Sequence, residues 1–361
     1  MDKKLFKQRL IQYLEIEAMS RYEEPVVEAL KANTSSKNFI YTRDGLGSLI
    51  INKPSKNPNA PKLMIAAHMD EVGYLVRRIE ENGQVLLSPV GGIWASVAIG
   101  TKAKLVTNRN NKTFLGVFGH TSIHIMKSEE INVAMTNDKL YADFGFVSKK
   151  EAIDKGVEVG DRVYMSGETI NFDNEDLVGG KAMDNRAGVT VLDYIANKIK
   201  DLDLDVNLFL VGTVQEEVGC RGAKSSVSLI NPDVAIALDT TSSHDTPNTI
   251  PGTTRLFGGA ALRVKDGGTL MDPKWVEYIY DTAKKNNIKA YKFVAAGGGT
   301  DAHELQFAQG GAAVITLSLP QRYLHSPIGV CAISDLIATG DLIIEIIKDF
   351  NKEKYNQIKY K

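Results

Sequence analysis

Several positions in this sequence carry side chains that could do chemistry together. Glu216 and Glu217 are adjacent acids at the end of an apolar run, Leu208 to Val214, in the stretch Val-Gly-Thr-Val-Gln-Glu-Glu-Val-Gly-Cys-Arg-Gly. Adjacent side chains point in different directions, so one acid can bind a metal while its neighbour handles a proton. A second apolar run, Lys62 to Ala67, ends in His68-Met69-Asp70-Glu71. Asp184, Asp239 and His325 fall beside other predicted elements, in Met-Asp-Asn-Arg, Leu-Asp-Thr-Thr and Leu-His-Ser-Pro. His68, Asp184, Glu217, Asp239 and His325 form an N/O donor set suited to divalent Zn, Co or Mn. Three carboxylates are more than one catalytic ion usually takes, whereas two ions sharing one carboxylate would use all five residues. Two dications with three carboxylates keep a net charge of about +1, which suits hydroxide. Each residue also has an ordinary role open to it: Asp184 as a helix cap, Asp239 as a turn former, the histidines as hydrogen-bonded loop residues.

The elements that must position these groups read as an α/β protein. Leu5, Phe6, Leu10, Tyr13 and Leu14 recur at helical spacing. Ser20 and Glu23 have the spacing of a capping box, with Pro25 in the first turn of the next helix. Phe39 to Thr42 and Ser48 to Asn52 predict strands around a turn at Asp44-Gly45, followed by a proline-containing loop to Pro61. After residue 71 the pattern changes to short β-like runs at 74–78, 84–88, 102–107 and 114–118, with a short helix near 148–155. This predicts a small β domain, residues 72–166, inserted into an α/β domain made of 1–71 and 167–361. The α/β pattern resumes with a helix at 187–200 and strands at 208–215 and 234–239. Further helices are expected at 272–287, 300–309 and 333–350, with a last strand at 312–317. Ionisable residues at strand ends are where open α/β sheets place their chemistry.

Composition narrows the classes. The chain has 361 residues and a formal net charge of −1, so no charge imbalance draws it to nucleic acid or to a membrane surface. Neither a membrane span nor a signal peptide is expected. Two cysteines, Cys220 and Cys331, suit a reducing compartment, and a cytoplasmic location is the expectation. Cys220 reads as a small packed residue. His120 and His124 have no acid at ligand spacing and read as loop or interface residues. Arg255 and Arg263 read as surface or structural residues, although either could favour an acidic substrate.

Six motifs carry a resemblance. They are His68-Met69-Asp70-Glu71-Val72-Gly73, Ala182-Met183-Asp184-Asn185-Arg186-Ala187-Gly188, Val214-Gln215-Glu216-Glu217-Val218-Gly219, Ala237-Leu238-Asp239 with Asp245-Thr246-Pro247, Gly299-Thr300-Asp301-Ala302, and Arg322-Tyr323-Leu324-His325-Ser326. In this order, nearly end to end, the sequence resembles the M42 family of metallo-aminopeptidases, which includes glutamyl aminopeptidases and the TET peptidases. The resemblance implies a mixed-sheet α/β/α dinuclear metallopeptidase domain with an inserted β-barrel-like dimerisation domain. It implies that Asp184 bridges two metal ions, that His68 and Asp239 complete one site, and that Glu217 and His325 complete the other. Glu216 matches the general base, and Asp70 the acid that orients His68. Peptides with a free N-terminus are the implied substrates, and dimers building toward dodecamers the implied assembly. The sequence departs from the family at Ser20-Arg21-Tyr22-Glu23, where relatives often carry glycine at the second position, and at Ile328-Gly329 after the His-Ser-Pro turn. Two alternatives stand beside this reading: a deacylase or carboxypeptidase of the same clan, and a non-enzymatic assembly protein. A glycosidase is disfavoured, since it needs two carboxylates flanking a sugar bond and usually no metal pair.

Overall fold

The computed structural model describes residues 1–360. The chain begins with α1 (Lys3–Leu14), α2 (Glu24–Asn33), β1 (Ile40–Arg43), β2 (Leu49–Lys53) and β3 (Lys62–His68). An inserted run follows: β4 (Gly73–Ile79), β5 (Val85–Val90), β6 (Lys102–Val106), β7 (Thr113–Gly119), β8 (Tyr141–Asp143), α3 (Lys149–Asp154) and β9 (Arg162–Ser166). Next come β10 (Ile170–Asn171), β11 (Leu177–Gly180), α4 (Met183–Ile199), β12 (Asn207–Thr213), α5 (Arg221–Ile230) and β13 (Val234–Ser242). The chain ends with β14 (Ala260–Lys265), α6 (Pro273–Lys285), β15 (Ala290–Val294), α7 (Ala302–Leu305), β16 (Ala313–Gln321), β17 (Gly329–Ala332), α8 (Ile333–Asp349) and α9 (Lys352–Ile358).

β3 is buried from Leu63 to His68, and β13 from Val234 to Thr241. Strands apolar on both faces belong in the middle of a sheet covered on both sides. They lie there, in a mixed sheet of eight strands ordered β1-β2-β12-β3-β13-β16-β14-β15. The four central strands β12, β3, β13 and β16 run parallel, so their carboxyl ends open on one edge. Register aligns those ends: Thr213 lies beside His68, and Asp239 beside Ser318. The crossover through α4 moves one strand to one side, and that through α5 moves back past β3, so right-handed connections put the two helices on opposite faces. α4 packs against α8, where Gly340 permits the approach: a Cβ there would meet the Tyr194 ring at 2.6 Å. Leu336, Leu342, Ile343, Ile346 and Ile347 of α8 are fully buried, each stabilising by roughly 1.5–3 kcal/mol.

The inserted run closes into an antiparallel barrel, ordered β4-β5-β8-β7-β6-β9, with its own core around Tyr74, Leu87, Leu105, Phe118 and Val163. The predicted α/β sheet with a β insertion is therefore observed. Several local expectations change. Ser20 and Glu23 form no capping box: α2 starts without a side-chain cap, and both residues bond elsewhere. The helix expected over 300–309 is only Ala302–Leu305, and β13 continues past Asp239 to Ser242. The partly charged strands β14 and β15, and α5, were not anticipated. Among the described residues no helix is long and apolar enough to cross a membrane.

Candidate metal centre

Five elements deliver the donor residues. His68 is the last residue of β3, Glu216 and Glu217 lie just beyond β12, Asp239 sits inside β13, and His325 follows β16. Asp184 stands at the start of α4, where the backbone is not yet helical (φ −80°, ψ 107°). Asn185 fixes this turn: its amide donates to Leu238 O at 2.8 Å and its Oδ1 accepts from Gly188 N at 3.0 Å. Arg186, fully buried, donates to the carbonyls of Tyr13, Ile16, Ala18 and Met69 and lies 3.3 Å from Glu71. Lys181 also bonds Glu71, at 2.8 Å. This buried network ties the start of α4 to the N-terminal segment and to the end of β3. An uncompensated buried charge is costly, so removing one member should be strongly destabilising.

Asp184 lies between the two histidines. Its Oδ1 is 3.1 Å from His68 Nε2 and its Oδ2 is 3.2 Å from His325 Nε2. Asp239 Oδ1 approaches His68 Nε2 at 3.6 Å, and Glu217 Oε1 approaches His325 Nε2 at 3.4 Å. His68, Asp184 and Asp239 thus form one group whose ligand atoms lie within 4.8 Å of one another, and Asp184, Glu217 and His325 form a second. Each ring is held by its other nitrogen. His68 Nδ1 faces Asp70, 3.2 Å from the carbonyl and 3.3 Å from Oδ1. His325 Nδ1 donates to Gly92 O at 2.6 Å. Anchoring Nδ1 in this way leaves Nε2 as the atom presented to a metal.

Asp70 does more than face His68. Its Oδ1 accepts from Glu216 N at 3.0 Å, and its Oδ2 accepts from Glu217 N at 3.2 Å and Ser20 Oγ at 2.6 Å. One buried carboxylate therefore couples the ends of β3 and β12. Glu23 supports the same turn by accepting from Gln215 N at 3.0 Å. Asp301 is a further buried acid at this edge, accepting from Thr213 Oγ1 and leaving its Oδ1 unpartnered. Sequence reading quoted Asp301 in a motif but gave it no role, and it missed Gly92. Ser20 and Glu23 were visible as a cap signal and within a family motif, with no role at the site.

Six carboxyl groups (Asp70, Asp184, Glu216, Glu217, Asp239 and Asp301) gather around two imidazoles. Burial opposes a charged His325 ring, but Asp184 and Glu217 outweigh it and push its pKa up to about 11. Burial likewise opposes the Asp184 carboxylate, yet the two histidines hold it well below its ordinary range. Burial, with Asp184 adding, pushes Glu217 up to about 6. Glu216 is raised well above its ordinary value by burial, then by Asp239, Glu217 and Asp301, against the opposing pull of His68. Such a site is short of positive charge. Glu217 Oε1 is buried with no hydrogen-bond partner beyond its 3.4 Å approach to His325 Nε2, which compensates a buried anion poorly. The donor types, the two presented Nε2 atoms and this poorly compensated oxygen all fit divalent cations.

Cys220 Sγ lies 3.5 Å from Glu216 Oε1, and burial raises its thiol far above the ordinary range, so it is no ready thiolate. His120 and His124 are exposed on the inserted segment and belong to none of the ligand groups found among the described residues. The centre opens into a cavity of about 990 Å³, lined beyond the acids by β13, β15 and the loops around Pro251 and Gly298.

A mixed α/β/α sheet with this edge of histidines and acids defines a metallopeptidase. The chain belongs to the M42 glutamyl aminopeptidase family, whose profile matches residues 47–342. It is 34% identical over 347 residues to the glutamyl aminopeptidase of Lactococcus lactis subsp. cremoris, covering 96% of each chain. Aminopeptidase APDkam598 from the archaeon Desulfurococcus kamchatkensis superposes with a TM-score of 0.93 at 30% identity over 99% of both chains. The Pyrococcus horikoshii TET1 peptidase, described as assembling into a tetrahedron or a large octahedral shell, gives 0.85 at 28% identity, covering 96% of this chain and all of that one.

Proposed function

We propose that this chain releases N-terminal residues from peptides, using two divalent ions held by His68, Asp184, Glu217, Asp239 and His325, zinc being the first choice and cobalt or manganese the others. The observation that carries the reading is the placement of the two Asp184 oxygens, one toward each histidine. When bound, the ions would supply Lewis-acid polarisation of the scissile carbonyl and a water of lowered pKa. Glu216 serves as the general base. Its raised proton affinity suits it to take up a proton and return it to the leaving amine. Asp70 positions this base through Glu216 N while holding the His68 ring. The surrounding acids offer anionic partners for a substrate ammonium group, which supports cleavage at a free N-terminus.

The segment 72–166 is proposed as a dimerisation domain on the catalytic unit 1–71 plus 167–361, with dimers assembling further toward a dodecamer, as the likeness to the TET1 peptidase suggests. A cytoplasmic setting is proposed from the two unpaired cysteines.

The test uses free-amine aminoacyl anilides and their N-acetylated twins, with chelated enzyme to which Zn, Co or Mn is returned. Metal-dependent cleavage confined to the free-amine set is expected. Cleavage of the acetylated set would favour a deacylase instead.

A further inference from the structure

The cavity beside the metal centre has two cations on its walls, Arg263 and Lys292. A site selecting acidic residues needs a cation free to meet the substrate carboxylate. Both cations already have acidic partners. Arg263 is 4% exposed, and its guanidinium donates to Ser318 Oγ at 3.0 Å, to Thr240 O at 3.1 Å and to Asp266 Oδ2 at 3.4 Å. All three nitrogens are engaged, and leaving them would strand Asp266 in the interior. Lys292, on β15, pairs with Glu277 of α6 and lies 4.6 Å from the Tyr280 ring centre. The acids lining the cavity, Asp184, Glu216, Glu217 and Asp239, belong to the metal centre, so no separate carboxylate awaits a basic side chain. Ile250, Pro251, Val264, Phe293, Val294 and Leu324 supply apolar wall instead.

We infer that this enzyme prefers an uncharged, aliphatic N-terminal residue, and that Glu277 maintains the preference by neutralising Lys292. The inference rests on the aminopeptidase reading. Burial of an aliphatic side chain against those walls favours it, whereas an acidic side chain entering there is desolvated without a free partner. Arg263 is fixed by the interior, but Lys292 is held by a half-exposed pair. Glu277 is therefore the position where the preference can be changed without touching the metal centre.

The experiment compares kcat/KM for leucyl, glutamyl and lysyl anilides in metal-loaded parent, Glu277→Gln and Lys292→Met enzymes. The parent is expected to favour the leucyl substrate at least fivefold over each of the others. Glu277→Gln should raise the glutamyl-to-leucyl ratio threefold or more, and Lys292→Met should not raise it. A parent that cleaves the glutamyl or lysyl substrate as well as the leucyl one would overturn the inference, as would an unchanged ratio in Glu277→Gln. Silence with every anilide would overturn the aminopeptidase reading itself, and the inference with it. Melting-temperature shifts with free leucine or glutamate, read on the same variants, should follow the same order.

Discussion

The carbonyl oxygen of Gly92 accepts a hydrogen bond from Nδ1 of His325 at 2.6 Å. Gly92 belongs to the inserted segment and His325 to the last loop of the sheet domain, so the barrel sets the tautomer of a proposed metal ligand. The neighbouring Gly91 has φ +84°, and a Cβ there would lie 2.6 Å from Val72 Cγ1 and 3.3 Å from Glu217 Cβ.

Gly91→Ala should therefore push the turn away and loosen His325. Partners that orient a ligand typically contribute about 10–100-fold in metal affinity. A loss of about tenfold is expected, read by competition with a chromogenic chelator. Unchanged affinity would show that the Gly92 contact does not hold the ring.

Glu216→Gln keeps the five proposed ligands and removes the proposed base. Metal content should stay at the parent level while kcat falls by about 10²–10⁴-fold. Elemental analysis beside the anilide assay separates the two effects. Parent-level turnover would remove Glu216 from its assigned role.

Arg21 occupies left-handed backbone, φ +80°, with an exposed side chain. Glycine adopts that conformation without the Cβ clash. Arg21→Gly should stabilise the protein by about 0.5–1 kcal/mol, seen as a higher urea midpoint. A lower midpoint would mean that the arginine side chain makes a contact worth more than the strain.

Asp245 is bonded by both arms of Arg322, which lowers its carboxyl to about 2. A carboxyl depressed in the folded state gives stability that is complete above its unfolded pKa near 4 and is lost as pH falls toward 2. For a largely solvent-facing pair the contribution is about 1 kcal/mol or less after screening. The melting-temperature difference between the parent and Asp245→Asn should therefore shrink from pH 5 to pH 2.5. A constant difference would detach it from the Asp245 charge.

The sequence revealed the centre of the sheet better than its rim. β3 and β13 are apolar on both faces, and that pattern has few other readings. β14 and β15 carry Arg263, Lys265 and Lys292, which hide strand character because these charges find partners only in the folded chain. Acids and histidines at strand ends were legible because an apolar run stops visibly where they start. The supporting contacts were not. Ser20 and Glu23 have the spacing of a helix cap, but Asp70 and Gln215 recruit them through contacts distant in sequence. The Gly92 contact uses a backbone carbonyl, which leaves no mark on residue type.

The parallel strands β12, β3, β13 and β16 bring donors from widely separated parts of the chain to one edge. His68, Asp184 and Asp239 precede β16 in the chain, whereas His325 comes only after it. The second group stays open until nearly the whole sheet domain exists. Completing both proposed metal sites therefore requires nearly the whole sheet domain, because their donors are spread from β3 to the loop after β16.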